Sequence, residues 1–541
     1  MKKIFISLIF SLFLISTTHG QFVRKDTTVM PKLEIPEITI VGKKAITLPF
    51  ARKGEIYDVN IFEVSPPDTS LIEERPAMPL PIGSLPRYDE PLVPWHASAE
   101  GSFGSFSATH FRAFVDYKGR KWGIYGNTGF QSTCGHIAHA SGNSFQMEAN
   151  AHSLVSTDNE ILKSFRVSGG LQLMHDEYDM FGIRNISVDR SRTNVVLDSR
   201  LNSLERQKSA IDFSLRANIW SFSDTQPTGD SSISAVSPEI VGSYSTKVNT
   251  VQLQTQISFT STSLNYDHPA QTPSLFGISA SAKWLLTDKW FLQVGGEYQN
   301  GSGSDGGGNS LIAPFAVVKW ELDRDRAMSI WFKPEMSLES YSDKTIRNPY
   351  FVREIMLHPE RTWFNLGGTF WYNSQIFSLE VNGAFAKSTN KGITLADSGK
   401  LYSAFVDASQ FTARADGSVK PLDNTRLTFT GIIQPSFEDG KSRQLPMIPF
   451  IQLAARGELT LNIPLSLWSS VEFWNEQYVD MAGSKTLDER ILLNIGAASS
   501  IIPRTVLSLE IANLLNHSYE WWGGYKAPNR TIKLEAKVNF Q

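Results

Sequence analysis

The chain has 541 residues, of which 41% are hydrophobic, 11% aromatic and 19% charged, with a formal net charge of −3. The apolar and charged fractions fall below the roughly 45–50% and 25% of soluble globular domains, which leaves too few charges for a disordered protein, and no apolar run beyond residue 21 approaches the length of about 18 that a membrane helix needs. The balance of 51 basic and 54 acidic residues gives no reason to expect nucleic acid as a partner, and the single cysteine, Cys134, excludes an intrachain disulfide framework and a multi-cysteine metal cluster.

Residues 1–20 read as a secretory signal peptide. Lys2 and Lys3 form the basic start, Ile4 to Ile15 the apolar stretch, and Thr18 and Gly20 are small residues suited to the −3 and −1 positions of a cleavage site. The apolar stretch is shorter than the ~20 residues of a spanning helix. No cysteine follows the cleavage site, so a lipoprotein anchor is not expected. The mature chain is expected to leave the cytoplasm.

Residues 21–94 hold eleven of the 26 prolines. Proline fixes φ and removes a backbone donor, so regular structure is interrupted repeatedly. The segment reads as an extended, poorly ordered arm. One β-prone piece stands out, Glu37-Ile38-Thr39-Ile40-Val41 followed by Gly42, whose plainest reading is a single edge strand.

From residue 95 to 541 the pattern is two-residue alternation, and all thirteen tryptophans lie in this part. Phe276, Ile278, Ala280, Ala282 and Trp284 alternate with Gly277, Ser279, Ser281 and Lys283. Phe364, Leu366, Gly368, Phe370 and Tyr372 form another stripe, as do Phe377, Leu379, Val381, Gly383 and Phe385 against Ser378, Glu380 and Asn382. Leu453, Ala455, Gly457, Leu459 and Leu461 alternate with Arg456 and Glu458. At the end, Ile532, Leu534, Ala536, Val538 and Phe540 face one way, and Lys533, Glu535, Lys537 and Asn539 the other. Successive side chains of a strand point to opposite faces, so each strand has one apolar and one polar face. Long connections (Asp267–Ser274, Gly301–Ser310, Glu339–Thr362, Lys387–Lys400, Ser436–Met447, Glu476–Asp488, Leu514–Asn529) alternate with short ones (Lys118–Lys121, Thr287–Lys289, Asp323–Arg326, Asn373–Gln375, Lys420–Thr425, Asn462–Pro464, Ile501–Arg504).

The count of strands is 22. An even number of antiparallel strands with short turns at one end and long loops at the other is the layout of an outer-membrane barrel, with both termini at the periplasmic end. Lipid requires every backbone polar group to be paired, so such a sheet must close. The expected fold is therefore all-β, a transmembrane antiparallel β-barrel of about 22 strands behind a short proline-rich arm. Trp284, Trp290, Trp320, Trp331, Trp363 and Trp371 near strand ends are expected at the headgroup level.

Sites of chemistry are few. Cys134, His136 and His139 lie close together in a long loop and carry metal-ligand atoms, but a solvated loop is the plainer reading. Gly301–Asn309 lacks the lysine of a phosphate cradle, Gly440-Lys441-Ser442 lacks its upstream glycine, and no GxSxG elbow occurs. No enzyme activity, cofactor or metal is expected. Lys283, Glu380, Arg456, Glu458 and Glu472 face the lumen, either along a pathway or in cross-strand ladders.

The C-terminal part resembles the barrel of TonB-dependent outer-membrane receptors. The residues that carry the likeness are Leu445-Pro446-Met447-Ile448-Pro449, Ile511-Ala512-Asn513-Leu514-Leu515-Asn516, Tyr519-Glu520-Trp521-Trp522, Gly524-Tyr525, Pro528-Asn529-Arg530 and the closing strand through Phe540. The resemblance implies 22 strands, energy-coupled uptake of a scarce ligand such as an iron chelate, cobalamin or a glycan, and residence in the outer membrane. It implies that Glu37, Ile38, Thr39, Ile40 and Val41 act as a TonB box that pairs with a TonB-type coupling protein as an added strand. It also implies that Ile532, Leu534, Val538 and Phe540 form the signal read by the barrel-insertion machinery, here followed by Gln541. The family places a plug domain between the box and the barrel; residues 43–94 are too few for a complete one. Loops and the arm, another chain, or nothing then fill the lumen. The expected partners are outer-membrane lipid, the insertion machinery and a coupling or accessory protein. The alternative function is a plugless structural or adaptor barrel, or a passive channel, that docks a periplasmic or surface partner.

Overall fold

The computed structural model describes residues 95–540 except 120, 158–163, 183–187, 205–208, 227–228, 266–271 and 353–355. The expected arm, Glu37 to Val41 included, lies outside the described residues.

The main sheet is one antiparallel ladder. Its first half is β1 (Trp95–Gly104), β2 (Thr109–Lys118), β3 (Trp122–Thr133), β4 (Gly142–Ser156), β5 (Ser164–Asp179), β6 (Asp189–Ser203), β7 (Ser209–Thr225), β8 (Ser231–Val248), β9 (Val251–Ser261), β10 (Ser274–Thr287) and β11 (Trp290–Ser302). The second half is β12 (Gly308–Glu321), β13 (Arg326–Phe332), β14 (Glu360–Asn373), β15 (Phe377–Asp397), β16 (Lys400–Leu422), β17 (Thr425–Ile433), β18 (Ile451–Thr460), β19 (Leu465–Trp474), β20 (Arg490–Ser499), β21 (Thr505–Ala512) and β22 (Thr531–Phe540). Ser263–Asn265, Glu335–Ser337 and Ser436–Glu438 continue β9, β13 and β17 after a local break. Counting each continuation with its strand, the ladder is a barrel of 22 strands, and β22 pairs with β1 to close it, Phe540 opposite Ala97 and Leu534 opposite Phe103. No strand of the ring is left with an open edge, which is what a β protein in lipid requires.

The two faces separate as the alternation dictates. Leu534, Ile532 and Phe540 on β22 are exposed, as are Leu509, Leu507, Leu467, Leu453 and Ile278, and the register aligns them in rows around the outside: Leu534 lies opposite Leu509 on β21 and Phe103 on β1. A charge placed in such a row at mid-bilayer costs about 2–4 kcal/mol. Leu534→Arg is therefore expected to lower unfolding stability in lipid vesicles by an amount of that order, whereas Glu535→Gln on the inner face should cost far less; equal losses would contradict the assignment of faces.

Three details depart from the sequence pattern. The connection expected to be long between Lys387 and Lys400 is a two-residue turn, Ser398-Gly399, at the tip of strands 21 and 23 residues long. Both turn residues have positive φ, 53° and 78°, the requirement of a tight hairpin turn matched to strand twist. The polar run Lys387 to Lys391 that looked like a loop holds a bulge between Ser388 and Lys391, with Asn390 at φ 57°. Similarly, the Gly301–Ser310 connection shrinks to residues 303–307, with Gly306 at φ 77°. Of the tryptophans expected at the headgroup level, Trp290 and Trp320 stack at 4.8 Å and 12°. Trp331 instead is buried on the inner face beside Val317 and Ala384, and Trp371 stands opposite Glu380 on that same face. At a strand end one residue of register decides the face, and the sequence alone does not fix it.

Candidate functional site: loops closed over the barrel mouth

The inner face of β7 begins as a wet surface, with Asp212, Ser214, Arg216 and Asn218 at alternate positions. Towards the long-loop end it turns apolar. Trp220 and Phe222 on β7 and Ile233 and Ala235 on β8 are 1–5% exposed, although the same-strand neighbour Ile219 points outward and is 44% exposed. Apolar side chains on a water-facing wall must be covered, and the loop between β13 and β14, residues 338–359, covers them. Tyr341 from this loop has no exposure and stacks on Trp220 at 5.8 Å and 22°.

The loop carries the short helix α1 (Tyr341–Arg347). Ser340 caps it, its hydroxyl accepting from the Asp343 N–H at 3.1 Å. Lys344 and Arg347 sit at its C-terminal end, where the helix dipole favours cations, and both pair with Glu339, at 3.3 and 2.8 Å.

The wall grips the loop with buried charges. Arg190 on β6 forms a two-pronged ion pair with Asp224 on β7 (2.6 and 2.8 Å) and donates to the carbonyl oxygens of Pro349, at 3.0 Å, and Phe351. Its guanidinium also lies over the Phe222 ring at 4.4 Å. Arg192, two residues on and on the same face, pairs with Asp176 on β5 at 2.9 Å and donates to the Thr345 carbonyl. Tyr178 donates to the Pro349 carbonyl at 2.7 Å, and Ser342 to Asn194 Oδ1 at 3.1 Å. Charge-assisted bonds to backbone carbonyls are the strong kind, and here they are sealed from water. Stability in this arrangement comes from pairing being complete: each buried Arg has its carboxylate and uses the remaining donors on the loop.

The loop also reaches the opposite side. Val352 donates to the Leu401 carbonyl at 2.9 Å, and Lys344 Nζ to Ser403 Oγ at 3.2 Å. Leu357 exchanges hydrogen bonds with Ser304, at 3.0 and 2.8 Å. Tyr525, from the loop between β21 and β22, donates to the Gly399 carbonyl at the β15–β16 tip, 2.9 Å away, and stacks on Tyr350 at 3.8 Å. Phe181 meets both rings edge-on at 5.1 and 5.8 Å. Burial pushes the Tyr341 and Tyr525 hydroxyls up, so both stay protonated. His136 meets the Phe181 ring edge-on at 5.8 Å, and its Nε2 donates to the Lys526 carbonyl at 2.7 Å. Gly182 makes room: a Cβ there would stand 2.6 Å from the Tyr525 ring.

Topology decides where this assembly sits. Around a ring of 22 strands, β7 and β5 stand six and eight places from β13, and β16 stands five from β21. Residues from β7, from β16 and from the loops that follow β13 and β21 meet in one apolar cluster: Trp220, Phe222, Leu264, Tyr341, Phe351, Leu401, Val479 and Tyr525 among its members. Segments that start so far apart on a closed wall and touch one another's inner faces run across the mouth. Near Val479, the Ser484 hydroxyl holds the Asp480 carboxyl below its usual range through a 2.5 Å hydrogen bond. That bond adds to the loop's stability above the ordinary carboxylate pKa and is lost as pH falls through the lowered one.

The lumen-facing residues expected from sequence occupy the inner face. Arg456 pairs with Glu458 along β18 at 2.7 Å and reaches across to β19, its guanidinium 4.5 Å from the Trp468 ring, one rung of a cross-strand ladder. Glu472 is buried on the same wall. Similar ladders join Arg414, Asp416 and Thr430. Cys134 is exposed, and the three residues Cys134, His136 and His139 do not form a metal-holding group among the described residues. The sequence did not single out Arg190, Asp224, Arg192, Asp176 or Tyr341, and it marked Tyr525 only as part of the receptor-like motif. The available signal was the switch from polar to apolar on the inner stripe of β7.

No protein-family model and no curated protein sequence matches the chain. Solved structures do. The FrpB iron transporter from Neisseria meningitidis (F3-3 variant) aligns with a TM-score of 0.66 at 10% identity over 82% of this chain and 81% of that one. The copper transporter OprC gives 0.65 at 11% identity, over 82% of each chain. The ferric yersiniabactin uptake receptor FyuA from Yersinia pestis gives 0.59 at 11% identity over 83% and 80%. The fold is that of the TonB-dependent receptor barrel. At such identities the likeness is one of fold, and the TonB-dependent receptor fold of this chain has its mouth packed by its own loops.

Proposed function

We propose that the chain is an outer-membrane transport protein of the uptake-receptor kind, in which a ligand passes through the lumen and residues 338–359 act as the moving barrier. The observation that carries this reading is the packing of that loop, tied to β6 by hydrogen bonds from buried, ion-paired arginines and to β16 by a backbone hydrogen bond, across a barrel whose fold matches known transporters of iron and copper. A 22-strand barrel encloses a lumen wide enough to need filling, and a loop held by a few discrete bonds is a barrier that can be released. A TonB-type protein pairing with Glu37, Ile38, Thr39, Ile40 and Val41 is the proposed source of work, and lipid and the insertion machinery are the proposed membrane partners, the latter reading Ile532, Leu534, Val538 and Phe540.

Uptake by whole cells tests this. A panel of radiolabelled ferric chelates, cobalamin and oligosaccharides is compared in cells with and without the gene, and in cells carrying Ile40→Pro, which removes a backbone donor from the added strand. The expected result is gene-dependent uptake of one class that Ile40→Pro abolishes. Uptake that survives the substitution removes the coupling reading. Absence of gene-dependent uptake or binding for every class favours the adaptor alternative.

A further inference from the structure

Two neighbouring short turns carry three exposed isoleucines, beside the exposed Asn462 and Arg504. The short turns at Asp288-Lys289, Leu322–Asp325 and Asp423-Asn424 present charged and amide side chains. Those at 461–464 and 500–504 present Ile463, Pro464, Ile501, Ile502 and Pro503. Ile463 is 59% exposed, Ile501 74% and Ile502 52%. The turns touch: the Ser500 N–H and the Ser499 hydroxyl both donate to the Pro464 carbonyl at 3.1 Å. Their apolar side chains therefore belong to one patch, and contiguous exposed apolar surface marks a contact with something apolar.

Strand length says what that is. The strands that these turns join, β18, β19 and β20, have ten residues each and β21 has eight. A strand tilted by about 45° needs roughly 9–11 residues to cross the hydrocarbon core. Three of these strands fall inside that range and β21 falls one residue below it. On the β15–β16 side, with 21 and 23 residues, the wall has length to spare and ends in Asp423-Asn424. The outward stripes Leu453, Leu459 and Leu465, Leu467 run straight into Ile463, with Leu461 between.

We propose that this arc of the short-turn rim sits among the acyl chains of the inner leaflet, with Ile463, Ile501 and Ile502 extending the apolar belt. The occupant is lipid because the patch continues the lipid-facing surface and because β21, at eight residues, falls short of the span. The inference rests on the outer-membrane reading above.

Spin-label accessibility tests it on the full mature chain in phosphatidylcholine vesicles. Cys134→Ser gives a cysteine-free background, into which Ile463→Cys, Ile501→Cys, Leu467→Cys on the belt and Arg324→Cys in a charged turn are placed singly and labelled. Collision with oxygen, which partitions into lipid, is compared with collision with a water-soluble nickel chelate. Labels at Ile463 and Ile501 are expected to share the sign of the depth parameter at Leu467, opposite to that at Arg324. If Leu467 is lipid-protected while Ile463 and Ile501 match Arg324, the rim is in water and the inference is overturned. If Leu467 also matches Arg324, the membrane reading itself fails. Ile463 and Ile501 are read independently, so misfolding of one variant leaves the other to decide.

Discussion

Replacing residues 341–352 with a short glycine–serine linker is expected to raise single-channel conductance in planar bilayers severalfold over the intact protein. The replaced segment contains α1, Pro349 and Phe351, which receive the donors of Arg190, Arg192 and Tyr178 on one wall and join Leu401 on the other. It also contains Tyr350, on which Tyr525 stacks. Without it the loops from β15–β16 and β21–β22 lose their common partner. The barrel should persist, because the ladder that closes it, β22 on β1 included, involves none of these residues. Circular dichroism and heat-modifiable gel mobility check that point. Unchanged conductance in a folded barrel would mean that the loop is not the barrier.

Asp224→Ala should undock the same loop without unfolding the barrel. Arg190 is 3% exposed, and Asp224 is its only carboxylate in hydrogen-bond range among the described residues. Removing one member of a buried pair strands the other charge, at about 3–5 kcal/mol. Loop elements open at free energies far below that of the whole structure. The loss should therefore appear as faster hydrogen exchange at Thr345 to Val352, a hundredfold or more, with the strand amides of β18–β22 unaffected. Arg190→Met strands the buried Asp224 carboxylate and also removes the donors to the Pro349 and Phe351 carbonyls, so it should undock the loop at least as strongly. If either variant leaves exchange in this segment unchanged, the Arg190–Asp224 pair is not what fixes the loop.

The barrel was legible in the sequence and its mouth was not, for a physical reason. Alternation along Phe364 to Tyr372, Leu453 to Leu461 and Ile532 to Phe540 is a local property of a strand between lipid and water, and each of these segments forms the strand that its pattern describes. Strand number followed from the same signal. Misreadings occurred where the surroundings stop being lipid on one side and water on the other. Lys387 to Lys391 looked like a loop because a strand that extends past the bilayer has no need of an apolar face. Trp331 looked like an interfacial residue because its inward partners, Val317 and Ala384, lie on other strands. The closed mouth is built from residues far apart in the chain, such as Tyr341 on Trp220 and Tyr525 on Gly399, and no spacing rule links them. Trp220 and Phe222 on a face that should be wet were the visible hint.

The single thiol, exposed in the loop between β3 and β4, gives this molecule a built-in reporter of which way it is threaded. In intact cells a charged, impermeant maleimide should modify Cys134 in full at the long-loop end, and a Cys134→Ser strain should take up no label in this chain. Protection of Cys134 until the cells are lysed would turn the molecule upside down: the packed mouth would then look inward, and the short turns would meet the world outside.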